Sequence, residues 1–98
     1  MPVRPKSAPK PGRPPGYKAL DEGIAAVFGE TVKAARLRSG MSQEALALET
    51  GIERSYISRL ERGLSQPTLL ALLKLAKGIG CESWELLGSA ERAFRRRR

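Results

Sequence analysis

An all-α fold is predicted for this chain by three features of its sequence. From about Leu20 onward, apolar residues recur every three or four positions, which is the period of a helix buried on one face. No segment alternates Val, Ile or Thr with polar residues as a half-buried strand does. Glycines and capping residues divide the helical part into five segments. We therefore expect one domain of five helices over residues 20–88, near the lower size at which a core is self-sufficient.

The first two helices have identifiable ends. The apolar pattern of the first begins at Leu20, and Gly40 in "RSGMS" ends it as a left-handed C-terminal residue. The second, "QEALALET", follows Ser42, whose hydroxyl can accept hydrogen bonds from unpaired backbone N–H groups. It stops at Gly51, which adopts positive φ without strain.

The remaining three helices follow closely. The third is expected over about Glu53–Arg62, with Ile57 and Leu60 pointing inward and Gly63 closing it. After a loop that contains Pro67, "TLLALLKLAKGIG" predicts a fourth helix. A short fifth helix, "ESWELL", comes before the chain turns polar again.

Basic residues are concentrated at the two ends of the chain. Residues 1–18 hold five basic residues, no acidic one and six of the seven prolines, and residues 91–98 hold five arginines and one glutamate. The middle is close to neutral, so the net charge of +8 comes from the ends. We expect a Pro-rich basic arm over residues 1–19 and an Arg-rich tail over residues 89–98, both flexible. Such tails are typical of nucleic-acid-binding arms and also of segments that only aid solubility.

Several classes of function lack the residues they need. The chain has one cysteine and no histidine, so neither a disulfide framework nor the usual metal ligands are available within it. No glycine-rich phosphate loop or spaced carboxylate set suggests catalysis, and we expect no enzyme activity, metal or cofactor. No apolar run has the length of a signal peptide or a membrane helix, so we expect a cytoplasmic protein.

The segment "QEALALETGIERSYISRLER" has the spacing of a helix-turn-helix. Ala47 is small where two helices would cross, and Gly51 falls at the sharp turn. Four apolar residues point into a shared core: Leu46, Ile52, Ile57 and Leu60. In this motif the second helix of the pair lies in the major groove of DNA. A generic helical hairpin with a glycine turn has the same spacing, so spacing alone leaves both interpretations open.

Residues 28–87 resemble, in one unbroken register, the phage-repressor and Cro-like family of helix-turn-helix regulators, also called the XRE family. The matching pieces are "VKAARLRSGMSQEALALETGI", "SYISRLERG" and "PTLLALLKLAKGIG" followed by "ELL". The resemblance implies a lambda-repressor-like DNA-binding domain. It also implies a sequence-specific transcription regulator, with repression as the expected mode, that binds double-stranded DNA as a homodimer.

Base contacts are expected from the third helix. Arg54, Ser55 and Arg59 match positions from which family members contact base edges. Arginine suits this task because its planar fork can donate two hydrogen bonds to guanine O6 and N7. Spacing gives independent support, since residues 55 and 59 are one helical turn apart while Ile57 and Leu60 point elsewhere.

Phosphate contacts are expected from positions around that face. Gln43 matches the family's glutamine that hydrogen-bonds a phosphate at the N-terminus of the second helix, where the helix dipole also favours an anion. Ser58 and Arg62 flank the base-contacting face and are expected at the sugar-phosphate backbone. In the arm, Gly-Arg-Pro resembles the centre of an AT-hook, although Pro15 stands where a basic residue usually follows. A proline-rich linker is the simpler interpretation of this segment. Arms of this kind nevertheless reach the minor groove in other helix-turn-helix proteins, so Arg13 is expected as an accessory contact there.

The remaining charged residues of the motif are expected to have other roles. The resemblance implies that Arg36 and Glu61 form an internal salt bridge between the first and third helices. Glu53 stands where relatives often have a better cap, so it either excludes some DNA sequences or pairs with Arg54. Tyr56 either packs against the second helix or places its hydroxyl on a phosphate.

Two residues in the last helices are apolar where relatives in the family often have acidic or polar residues. Leu70 and Trp84 are candidates for a dimer surface, the alternative being core or edge packing. Three other functions stay open. An antitoxin would hold a toxin with a tail or with the Leu70 and Trp84 surface, a restriction-modification controller would time gene expression, and a nonspecific DNA-coating protein would depend on the tails.

Overall fold

The computed structural model describes residues 21–97, which form five α-helices: α1 (Glu22–Arg38), α2 (Gln43–Thr50), α3 (Arg54–Glu61), α4 (Leu69–Ile79) and α5 (Ser83–Arg96). Those residues contain no strand. The predicted all-α fold class and the number of helices are confirmed.

Side chains satisfy the first backbone N–H groups of three helices. Asp21 accepts from the N–H of Ile24 at 3.0 Å at the start of α1, and the Ser42 hydroxyl accepts from that of Ala45 at 2.9 Å at the start of α2. Thr68 caps α4 in the same way. Glu53, at the start of α3, makes no capping hydrogen bond with its side chain. The expectation that this glutamate caps poorly agrees with the structure.

The core lies where α1, α3, α4 and α5 meet, with α2 packed against α3 and α4. Its residues come from the apolar faces that the helical period of the sequence indicates. The largest fully buried side chains are Leu46, Ile57, Leu60, Leu75, Val27 and Val32.

Helices α1 and α3 approach so closely at one point that only glycine fits. A Cβ on Gly29 would collide with the backbone oxygen of Leu60 and would lie 2.9 Å from that of Glu61. Backbone atoms cannot move aside as the end of a flexible side chain can. Gly29 therefore sets the distance between α1 and the C-terminal end of α3.

The prediction of a short fifth helix followed by a tail over residues 89–98 is wrong for residues 89–96. Helix α5 continues to Arg96 because its apolar positions continue: Ala90 is buried, and Ala93 and Phe94 are half-buried. Arginine is also a good helix former, so a polar composition did not signal a helix end. Arg97, which follows the helix, donates to both carboxylate oxygens of Glu30 on α1, at 3.0 and 3.1 Å.

We expect Gly29→Ala to destabilise the protein by about 1–3 kcal/mol, because overpacking against backbone outweighs the better helix propensity of alanine. Urea unfolding followed by circular dichroism measures the change. Gly88→Ala is the matched control, since the nearest atom to its added Cβ is the end of Arg92 at 3.5 Å. The control should keep or slightly raise stability, and equal stability of the two variants would contradict the close-approach argument.

Candidate nucleic-acid interface

Helices α2 and α3 are joined by a tight turn with defined hydrogen bonds. Gly51 has a left-handed φ of 76°, and its N–H donates to the carbonyl of Ala47 at 2.8 Å. The hydroxyl of Thr50 accepts from the N–H of Ile52 at 3.1 Å and donates to the carbonyl of Leu46 at 2.8 Å. The turn therefore has its own local partners, and it fixes where α3 begins relative to α2.

Helix α3 has one buried face and one exposed face. Ile57 and Leu60 are fully buried in the core shared with α1 and α4. The opposite face is open to solvent along the length of the helix. It carries the three residues expected to contact bases, namely Arg54, Ser55 and Arg59.

A buried ion pair joins α1 to α3. Arg36 Nε donates to Glu61 Oε2 at 2.7 Å and Nη2 donates to Oε1 at 2.9 Å, with 8% and 2% of the two side chains exposed. The remaining guanidinium nitrogen, Nη1, donates to the carbonyl of Met41 at 2.8 Å, just before α2. The hydrogen bond to Glu61 raises the pKa of Arg36, although burial opposes this effect. This is the salt bridge that the family resemblance implies, and it joins α1 to α3 and to the loop before α2.

Gln43 extends the buried ion pair toward the surface. Its Nε2 donates to Glu61 Oε1 at 3.0 Å, and its Oε1 lies 3.5 Å from Nη1 of Arg54. Because a carboxylate only accepts hydrogen bonds, the amide nitrogen must face Glu61 and the amide oxygen must face outward. The family resemblance implied only a phosphate contact for Gln43. The structure adds contacts to the salt bridge and to Arg54.

Tyr56 lies between the core and the exposed face of α3. It is half-buried and packs against the core cluster, and its hydroxyl donates to the carbonyl of Gln66 at 3.4 Å. The guanidinium carbon of Arg59 lies 5.7 Å from the centroid of the Tyr56 ring. The sequence left open whether Tyr56 packs against the second helix or contacts phosphate, and the spacing of three residues was the available signal for its contact with Arg59.

The other charged residues around α3, Glu53 and Arg62, form few hydrogen bonds or ion pairs with the rest of the described protein. Glu53 is exposed, and no ion pair joins it to Arg54 in the part of the chain described. Arg62 is exposed and its Nε donates to the carbonyl of half-buried Ser58 at 3.3 Å. Of the two roles expected for Glu53, pairing with Arg54 is not seen, and the exclusion of some DNA sequences stays a prediction.

The remaining predicted residues lie away from α3. Arg13 falls outside the described residues. Leu70 on α4 and Trp84 on α5 are exposed, at 61% and 69% respectively, so core packing is not their role in the single chain.

Residues 21–97 contain no group of three or more His, Cys, Asp or Glu side chains arranged to hold a metal ion. None of the five helices found over this range has the length and apolar character needed to cross a bilayer.

Comparison with known proteins links this geometry to one family. Residues 32–86 match the sequence profile of the helix-turn-helix family. The control protein C.BamHI of Bacillus amyloliquefaciens is 39% identical over 69 residues, which are 69% of this chain and 85% of that protein. The crystal structure of the restriction-modification controller protein C.AhdI from Aeromonas hydrophila is similar with a TM-score of 0.62 and 39% identity, over 63% of this chain and 94% of the other.

A third relative was solved on DNA. The controller protein C.Esp1396I, crystallised as a tetramer with its natural 35 base-pair operator, superimposes with a TM-score of 0.66 and 27% identity, over 72% of this chain and 93% of the other.

We expect Glu61→Ala to lower the free energy of unfolding by about 3–5 kcal/mol, because it leaves the guanidinium of Arg36 buried without its counter-charge. Thermal and urea unfolding measure this loss. The control is Glu30→Ala, which removes the carboxylate of the exposed pair with Arg97 and should cost less than about 1 kcal/mol. A Glu61→Ala variant that melts like the wild type but no longer binds DNA would contradict the structural role.

Proposed function

Because this chain belongs to the helix-turn-helix family of transcription regulators, we propose that it binds double-stranded DNA sequence-specifically and regulates transcription by occupying an operator. The observation that carries the proposal is the exposed, basic face of α3, which is supported from behind by the buried Arg36–Glu61 pair. A helix presented in this way can enter the major groove, where each base pair displays a distinct set of donors and acceptors. A bound regulator then blocks or recruits polymerase, with repression as the expected mode.

In this proposal the exposed residues divide between bases and phosphates. Arg54, Ser55 and Arg59 contact base edges, and the two arginines suit guanine. Ser58 and Arg62, beside that face, contact the sugar-phosphate backbone.

Gln43 contacts both protein and DNA in the proposal. Its amide has a second N–H besides the one directed to Glu61, and it stands at the positive N-terminal end of α2. That second N–H is free to donate to a phosphate while the first keeps the amide in place.

The basic ends of the chain add affinity without base preference. Arg13 is an accessory minor-groove contact, and the arginines of α5 neutralise phosphates. A regulator that uses these groups acts where the DNA is, which in a bacterium is the cytoplasm and its nucleoid.

We further propose that the chain acts as a homodimer through α4 and α5. Leu70 and Leu73 are exposed one helical turn apart on α4, and Trp84 and Leu87 are exposed one turn apart on α5. Pairing these surfaces would cover apolar area that a single small domain leaves in water. A two-fold dimer would place two α3 helices on half-sites about 34–36 Å apart.

Restriction-modification control is the second candidate function. It is favoured by the similarity to the control protein C.BamHI and to the restriction-modification controller protein C.AhdI. C.Esp1396I is described as a tetramer on operator DNA, which supports multimeric binding here. None of these three relatives is described as an antitoxin, so the toxin-binding alternative gains no support from them.

Selection of bound sequences from random duplexes at about 0.15 M salt tests the main proposal. We expect a two-fold symmetric motif. Arg54→Ala should relax the preference at particular base pairs and cost about 1–3 kcal/mol, because it removes a base contact. Arg62→Ala, the matched control, should weaken binding to all sequences alike and reduce its salt dependence. Equal binding to all duplexes by the wild type would overturn the proposal and favour a nonspecific DNA-coating protein.

The dimer surface is tested by Leu70→Gln and Trp84→Gln in analytical ultracentrifugation. Both variants should shift the protein toward monomer and weaken operator binding, because they place amides on a surface that loses water on pairing. Leu37→Gln on α1 is the control, since Leu37 is similarly exposed at 57% but lies on another helix. A wild-type protein that is monomeric on and off DNA would refute this arrangement.

A further inference from the structure

Arg59 is held by an aromatic ring on the surface of its own helix. Its guanidinium carbon is 5.7 Å from the centroid of the Tyr56 ring, within the distance at which a cation is attracted by the negative face of an aromatic ring. Residues 56 and 59 are three positions apart on α3, so their side chains are neighbours on the helix surface. The contact therefore comes from the backbone geometry of α3 and needs no other element.

The ring of Tyr56 is itself held in place by two other parts of the protein. Its apolar side packs against the core cluster, and its hydroxyl donates to the carbonyl of Gln66 in the loop between α3 and α4. The side-chain oxygen of Gln66 accepts from the N–H of Asp21, the residue that caps α1, at 2.6 Å. Tyr56 is thus fixed at both ends, whereas the exposed side chain of Arg59 has several rotatable bonds.

We propose that Tyr56 is a positioning residue for Arg59 and thereby a determinant of base specificity. Contact with the ring restricts the directions in which the guanidinium points, so less conformational freedom is lost when Arg59 donates to a base. The aromatic face of Tyr56 performs this role, and packing against the core cluster holds the ring in place even without the long hydrogen bond of its hydroxyl. The inference rests on the proposed function, because it requires Arg59 to contact DNA.

Two other roles for Tyr56 make different predictions. If the hydroxyl contacted a phosphate, its removal would weaken binding to every sequence alike. If the ring held Arg59 away from DNA, its removal would strengthen binding. A positioning role instead predicts that loss of the ring has the same effect on base preference as loss of Arg59.

A double-mutant cycle on the full chain separates these roles. Tyr56→Leu, Tyr56→Phe, Arg59→Ala and the Tyr56→Leu/Arg59→Ala double variant are titrated against the duplex that the wild type selects. Each is also titrated against duplexes with single base-pair changes. We expect Tyr56→Leu to weaken binding to the selected duplex about two- to fivefold, the range expected for one exposed cation–π contact. It should reduce discrimination at the base pairs affected by Arg59→Ala, and Tyr56→Phe should retain that discrimination.

In the Arg59→Ala background, Tyr56→Leu should have no further effect on Kd. Melting temperatures are measured in parallel, because the ring also packs on the core and a general loss of stability would appear in both backgrounds. If Tyr56→Leu does not fold, Tyr56→Met supplies a second variant without a ring.

The outcomes distinguish failure of the positioning role from failure of the proposed function. Equal losses with and without Arg59, a Tyr56→Phe variant that behaves like Tyr56→Leu, or tighter binding by Tyr56→Leu would overturn the positioning role. If Arg59→Ala alters base preference but shows no coupling to Tyr56, the positioning role fails and the proposed function stands. If the wild type selects no sequence, the proposed function fails and the positioning role fails with it.

Discussion

The carboxylate of Glu61 is the group on which the arrangement of the first three helices depends. It accepts from Arg36 on α1 and from Gln43 on α2, while its own backbone belongs to the end of α3. A buried pair of this kind contributes little net stability compared with apolar packing, because both charges have lost their water. Its geometry is nevertheless demanding, since any displacement leaves a charge unpaired. We therefore interpret it as the interaction that fixes the angle and register of the helix-turn-helix.

The same network extends to the surface and sets the direction of groups there. Because Glu61 can only accept, it orients the amide of Gln43, and that amide presents its oxygen toward Arg54. On the next turn of α3, Arg59 is held against the ring of Tyr56. Preorganised side chains lose less entropy on binding than free ones do. In the proposed function, base contacts come from the single short helix α3, which would benefit from this arrangement.

Helix α1 contacts α3 through close backbone packing and contacts α5, which carries most of the basic C-terminal sequence. At Gly29, α1 and α3 meet backbone to backbone, on the same pair of helices that the ion pair joins. The arginines of α5 lie on a helix that runs along α1, and Arg97, which follows α5, pairs with Glu30 on α1. Helix α5 therefore holds part of the basic C-terminal sequence on the body of the domain, so those charges have defined positions relative to α1.

The sequence by itself determined the helices and their order, because the apolar period and the glycines that end helices are local signals, to which Ser42 adds a cap at the start of α2. Family resemblance added the partnership of Arg36 and Glu61. The extension of α5 to Arg96 was decided by tertiary packing of Ala90 and Phe94, which an Arg-rich composition conceals. The need for glycine at position 29 and the hydrogen bond from Gln43 to Glu61 also came only from the structure. Both depend on how closely two helices approach, and that distance is set by the whole core and cannot be deduced from any one segment.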